Sequence, residues 1–202
     1  FIGVTVPQQR AVARKFAALP LSQIDRLLRS KIHEDRLTGL FILVQQFTRA
    51  RDELVRKKIH AFYLERLRCV NNWDLVDASA PYIVAASPAG NLALLTKLSA
   101  SKNLWERRVA MVATWHCIRQ GSAREALRIA ERLVADEHDL IHKASGWMLR
   151  EVGARIGRVH LREFLKRHAA TMPRTMLRYA IEHLSKPERE KWMSAAQRGL
   201  RV

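Results

Sequence analysis

The residues best placed to do chemistry are Asn71-Asn72-Trp73-Asp74-Leu75-Val76-Asp77. On a helix Trp73 and Asp77 stand at i and i+4, so an indole and a carboxylate project from one face. Asp74 lies on that side one turn earlier, where a carboxylate near a helix start stabilises the dipole. An acid beside an indole suits a site that meets positive charge, because the carboxylate and the electron-rich ring face both attract a cation. The plain alternative for Asp77 is a solvated or ion-paired surface acid.

Two further constellations are basic. Trp105-Glu106-Arg107-Arg108 places Trp105 and Arg108 at i and i+3. Lys143-Ala144-Ser145-Gly146-Trp147-Met148-Leu149-Arg150 sets Lys143 four residues before Trp147 and Arg150 three after it. Tryptophan interleaved with Lys and Arg is the dress of a nucleic-acid surface: the cations meet phosphate and the indoles supply flat contact area. Core packing is the ordinary use of any one Trp, and Trp115 and Trp192 are read that way. Trp73 and Trp147 recur in successive helix pairs, which argues instead for a shared concave face. His138 and His142 are at metal-ligand spacing but lack the Glu of a zinc-protease helix. No Gly-rich phosphate loop, Ser-His-Asp pattern or dinucleotide fingerprint is present, so neither cofactor nor metal is expected.

The elements that must position these residues are helices. Apolar residues recur at helical spacing, predicting helices at 8–18, 21–31, 34–49, 52–69, 72–86, 90–100, 103–120, 122–135, 138–155, 158–169, 173–184 and 187–199. Ser22 and Asp52 stand near helix starts as capping residues do. Gly121 closes a helix, and Pro173 and Pro187 fall where a first turn tolerates them. Only eight Gly and six Pro occur, few for a β-rich chain. The helices pair off with a period of about 34–37 residues, the length of a helical repeat. Trp105–Met111 aligns with Ile141–Trp147, and Gly39, Ala110 and Gly146 fall at equivalent places, where a small residue lets the next helix approach. The expected fold is an all-α solenoid of stacked antiparallel helix pairs, HEAT-like or armadillo-like, with a basic concave face, forming one domain over 1–202. An irregular helical bundle is the bland alternative.

Composition narrows the function. In 202 residues, 36 Lys+Arg against 19 Asp+Glu give a formal charge of +17 and a pI near 11.0. That excess points to a polyanionic partner, nucleic acid before an anionic membrane surface. With 48% hydrophobic residues the chain can bury a full core. Cys69 and Cys117 form no CxxC pair, so a disulfide scaffold is not expected and a reducing compartment fits. The longest apolar run, Leu40–Val44, is far short of the roughly 18 residues a spanning helix needs. No signal peptide is visible, and a cytoplasmic, nucleoid-associated protein is expected.

With these residues in view, the chain resembles the HEAT-like-repeat alkylpurine DNA glycosylases, the AlkD family. The resemblance runs from Gly3-Val4-Thr5-Val6-Pro7 and Arg10 to about Trp192. Its specific points are Trp73-Asp74-Leu75-Val76-Asp77, Trp105-Glu106-Arg107-Arg108 followed by Val109-Ala110, and Gly146-Trp147-Met148-Leu149-Arg150-Glu151. It implies a monofunctional glycosylase that removes cationic alkylated purines, such as 3-methyladenine and 7-methylguanine, from duplex DNA. It implies Asp77 as the catalytic carboxylate and Trp73 and Trp147 as aromatic walls around the damaged nucleotide. Arg108 becomes the phosphate-side cation, with Arg107, Arg10, Lys143 and Arg150 as further DNA contacts. It also implies a monomer acting while the lesion stays largely stacked, without a cofactor. In that family a helical segment bearing an aromatic residue precedes the Gly-Val-Thr-Val-Pro stretch. The sequence opens at Phe1, and the expectation is either such a segment upstream or a more open site.

Two other classes compete with this reading. One is a solenoid that binds DNA or RNA without chemistry. The other is a scaffold for an acidic protein or a membrane surface.

Overall fold

A capping box opens α1 (Val6–Lys15), where Gln8 Oε1 accepts from the Thr5 N–H at 2.9 Å and from its hydroxyl at 2.8 Å. α2 (Leu21–Leu28) begins after Pro20, which stands at the cap position without a side-chain bond; Ser22 falls inside the helix rather than capping it. α3 (His33–Arg49) carries the run Gly39–Leu43, buried at every position, so this helix is enclosed rather than one-sided. Asp52 caps α4 (Glu53–Glu65) as expected, its carboxylate accepting from Leu54 N at 2.8 Å. A short 3₁₀ turn, Leu67–Cys69, leads to α5 (Trp73–Ile83). α3 packs against α1 and α5 and also against α2 and α4, so alternate helices touch as they do in stacked repeats.

The computed structural model describes residues 1–85 and 92–199, and among these no strand occurs. The first residues of the predicted 90–100 helix and residue 86 of the 72–86 helix lie outside the described residues. The chain divides into two compact units, Phe1–Ala86 and Ser87–Val202. In the first, Tyr63 of α4 is fully buried and shares a 2.9 Å hydrogen bond with Ser79 of α5, whose hydroxyl lies 2.6 Å from Leu75 O. Arg66, at the end of α4, holds Asp25 of α2 at 2.6 Å. Each leucine-sized side chain in this core contributes about 1.5–3 kcal/mol through burial.

The second unit holds α6 (Leu92–Ser99), α7 (Leu104–Ala113), α8 (Trp115–Arg119), α9 (Arg124–Arg132), α10 (Asp139–Arg155), α11 (Arg158–His168), α12 (Arg174–Ala180) and α13 (Lys186–Gly199). The helix expected over 103–120 is two helices. Thr114 divides them: its hydroxyl donates to Met111 O at 2.7 Å and its N–H bonds the same oxygen at 3.2 Å. Such back-bonding diverts the backbone from the α pattern. Gly121 ends α8 with φ +85°, a conformation that favours glycine. Long α10 is the centre of this unit, packing on α7, α9, α11 and α12. Gly146 makes the last contact possible, since a Cβ there would stand 2.5 Å from Met176 O and from Tyr179 Cβ. Gly39 plays the same part in the first unit, facing Leu27 of α2 with its would-be Cβ at 3.1 Å.

The architecture is therefore all-α, with the alternate-helix stacking of a solenoid within each unit. Among the described residues no helix is long and apolar enough to cross a membrane. Both cysteines are free: Cys69 is half-buried, and Cys117 is buried, its thiol pushed up to about 11 by burial and by the nearby Glu125.

Candidate functional site

The first turn of α5 is built to hold Trp73 outward. Asn72 caps it, accepting from Trp73 N at 2.7 Å. Leu75, Val76, Ser79, Ala80 and Ile83 take the core side, leaving the Trp73 indole 53% exposed. An indole that open is not a packing residue of its unit. Asp77, one turn on, is half-buried.

Asp74 serves a different purpose from its neighbour. One oxygen accepts from Leu75 N at 2.9 Å, and the other lies 2.6 Å from Nε2 of His33, a buried residue at the start of α3. The Phe1 ring lies against the imidazole, centroid to centroid 4.5 Å. Glu34 next to it accepts from Ile2 N and Gly3 N at 2.8 and 3.0 Å. The N-termini of α3 and α5 are thus tied together, and the chain's first residues are strapped over the joint. Arg10 is exposed on α1 with its guanidinium 4.1 Å above the Phe41 ring.

In the second unit α10 carries Lys143, Trp147 and Arg150 at the spacing the sequence predicts. Lys143 pairs with Asp139 at 2.7 Å. The Asp139 hydrogen bond raises the Lys143 pKa, and the same bond holds the Asp139 carboxyl below its usual range. Arg150 is bonded to Glu182 of α12 and, at 3.2 Å, to Glu151. Glu151 is buried and its second oxygen takes Arg155 Nε at 2.9 Å. Arg155 in turn lies 4.5 Å above the ring of Trp115, which neighbours Trp147.

The adjacent arginines of α7 reach the start of α10. Arg108 is buried, and its Nη1 donates to Leu140 O at 2.6 Å. Arg107 holds Asp136 through Nε at 2.6 Å and donates from Nη1 to the carbonyls of Ser101 and Lys102, both at 3.1 Å. Both guanidinium groups expected to meet DNA are therefore engaged inside their own unit, Arg107 clamping the turn before α10 and Arg108 its first turn. The histidines are similarly local: His138 Nδ1 caps α10, accepting from Leu140 N at 3.1 Å, and His142 donates to Asp136 O. Among the described residues no cluster of three metal-ligating side chains occurs.

Lys143 and Arg150 also line a cavity of about 850 Å³ beside α12 and α13, with Arg178 and Tyr179 on its wall. Two features here escape a reading of the sequence. Trp115, assigned there to the core, is half-buried between Arg155 and Trp147. Arg178 belongs to no motif, and its only signal is the i, i+4 spacing with Arg174 on one face of α12.

Comparison with known proteins bears on this arrangement. The model of the family described as DNA alkylation repair enzyme matches residues 1–184. A solved structure described as "Predicted DNA alkylation repair enzyme from Enterococcus faecalis" superposes with a TM-score of 0.70 over 92% of this chain and 89% of that one. The two are 20% identical, so the likeness is one of fold. No curated protein matches the sequence.

Proposed function

The chain belongs to the DNA alkylation repair enzyme family, and we propose that within it this protein is a glycosylase hydrolysing the N-glycosidic bond of cationic alkylated purines in duplex DNA. The observation that carries this reading is the outward Trp73 indole, 53% exposed and followed on the same helix face by Asp77. Such a pair is suited to a positive charge arriving from solvent.

The chemistry needs little else. An alkylated purine already carries positive charge, so it departs as a neutral base when the bond to C1′ breaks and its electron pair stays with the ring nitrogen. No general acid is required. The barrier lies in the oxocarbenium charge left on the sugar, which a fixed carboxylate and an indole face stabilise. Water then adds to C1′, orientated by Asp77, and gives its proton to that carboxylate and on to solvent. The family resemblance makes Trp147 a second aromatic wall and Lys143, Arg150 and Arg10 backbone contacts, whereas Arg108 is buried and holds Leu140 O within its own unit.

The test is release of free base from duplex DNA carrying 7-methylguanine. Asp77→Asn should lower the single-turnover rate by about 10²–10³-fold, the usual loss when one preorganised electrostatic group is removed. Duplex binding should be equal or tighter, because a negative charge near the phosphates has gone. Equal release by the variant would remove Asp77 from the mechanism, and no release by the wild type with tight, salt-sensitive binding would identify a non-catalytic DNA-binding solenoid.

A further inference from the structure

The cavity beside α10 gathers more positive charge than its neighbours neutralise. Lys143, Arg150, Arg178 and Arg189 line it against two carboxylates, Asp139 and Glu182, a surplus of two positive charges. Each carboxylate already holds one cation, Asp139 on Lys143 and Glu182 on Arg150, and Arg150 also meets Glu151, outside the cavity, at 3.2 Å. Both carboxylates are more than half exposed, at 53% and 54%, with Arg150 the less open partner at 19%, and an ion pair whose acid is solvated contributes little to hold its cation back from a better anion. Arg178 is exposed and makes no hydrogen bond or ion pair among the described residues. Among the described residues the Arg189 guanidinium donates to the Glu182 carbonyl alone, at 3.4 Å. The Thr175 side chain lines the same wall and donates a hydrogen bond to Asp139.

We infer that this cavity is a phosphate site for the nucleic-acid backbone, in which the two carboxylates hold the place of phosphate oxygens until DNA arrives. Arg178 makes the first contact, its planar fork matching two phosphate oxygens. Arg150 and Lys143 then turn from Glu182 and Asp139 to the same group. Glu182 thereby acts against binding: it keeps Arg150 oriented but competes with the ligand. This assignment rests on the reading of the protein as a DNA-binding enzyme, and adds Arg178, Arg189 and the two competing acids to it.

The experiment measures binding of the full chain to an undamaged, fluorescently labelled duplex as salt is raised. Arg178→Ala should flatten the log–log salt slope by about 0.9, the release of one phosphate's counterion, while Arg178→Lys retains the slope. Glu182→Gln should tighten binding about 2–5-fold by removing the competitor. Arg178→Ala with unchanged affinity and slope, or weaker binding by Glu182→Gln, overturns the site. Pyrophosphate serves as the free-anion probe: if Arg178→Ala abolishes its binding but leaves the duplex slope intact, the cavity serves free phosphate and the backbone assignment falls. Base release is read in parallel. A wild type that releases no base, yet loses one phosphate on Arg178→Ala, keeps this site and sinks the glycosylase; release with no effect of Arg178→Ala does the reverse.

Discussion

The ring centres of Trp115 and Trp147 lie 6.4 Å apart with their planes at 33°, and Arg155 covers Trp115 at 4.5 Å. Glu151 holds that arginine with one oxygen and Arg150 with the other. A proposed substrate wall, Trp147, therefore has an indole beside it, itself covered by a cation that an acid fixes. Aromatic pairs of this kind contribute about 0.5–1.5 kcal/mol beyond area burial. Trp115→Ala should accordingly slow base release about 2–10-fold, with Arg155→Ala having a smaller effect in the same direction. Single-turnover rates check this, and a Trp115→Ala variant as fast as wild type would confine Trp115 to packing.

Gly146→Ala places a methyl group 2.5 Å from Met176 O and Tyr179 Cβ. Backbone cannot yield as a flexible side chain would, so α10 and α12 must separate. Overpacking of this sort costs about 1–3 kcal/mol, read as a lower urea midpoint. An unchanged midpoint would mean that the α10–α12 contact is soft.

Tyr63→Phe removes the partner of Ser79 in a fully buried bond between α4 and α5. The Ser79 hydroxyl keeps Leu75 O as an acceptor, so the loss should be about 1 kcal/mol rather than the full penalty of an orphaned group. Burial pushes the Tyr63 phenol far above its ordinary value, so the bond should be insensitive to pH through the neutral and mildly alkaline range. Urea titrations at two pH values test both statements.

Acid should loosen the first unit through Asp25. The Arg66 hydrogen bond, aided by Arg29, holds its carboxyl below the usual range against the opposing effect of burial. A carboxyl depressed in the folded state contributes stability that is present above the unfolded value of about 3.9 and lost as pH falls through the folded one. The stability difference between wild type and Arg66→Met should be constant at neutral pH and shrink below about pH 4. A difference that persists at lower pH would assign it to Arg66 packing on Phe62, 4.9 Å away.

What could be read without coordinates followed from locality. Helices came from apolar spacing, and the cap at Asp52 and the stop at Gly121 from single residues with strong backbone preferences. Thr114 gave no such warning, because a hydroxyl bonding back to Met111 O is only one of its options in a helix. The misplaced cap at Ser22 has the same origin, since Pro20 sets the start of α2. In the site, Trp73 and Asp77 share a helix face by arithmetic alone. The outward turn of Trp73 depends on which residues the rest of the unit buries. His33 meets Asp74 and Arg107 meets Asp136 across 41 and 29 residues. No spacing rule reports contacts that long, and so Arg107 reads as a surface cation in the sequence while clamping a turn in the fold.

The two cysteines differ in a way that offers a reporter. At neutral pH a thiol that ionises only near 11 is almost wholly protonated, and Cys117 is buried as well. Maleimide reagents should therefore select Cys69, half-buried in the turn four positions ahead of Trp73. A fluorophore attached there, with no engineered residue, would sense ligand arriving at the head of α5 in real time.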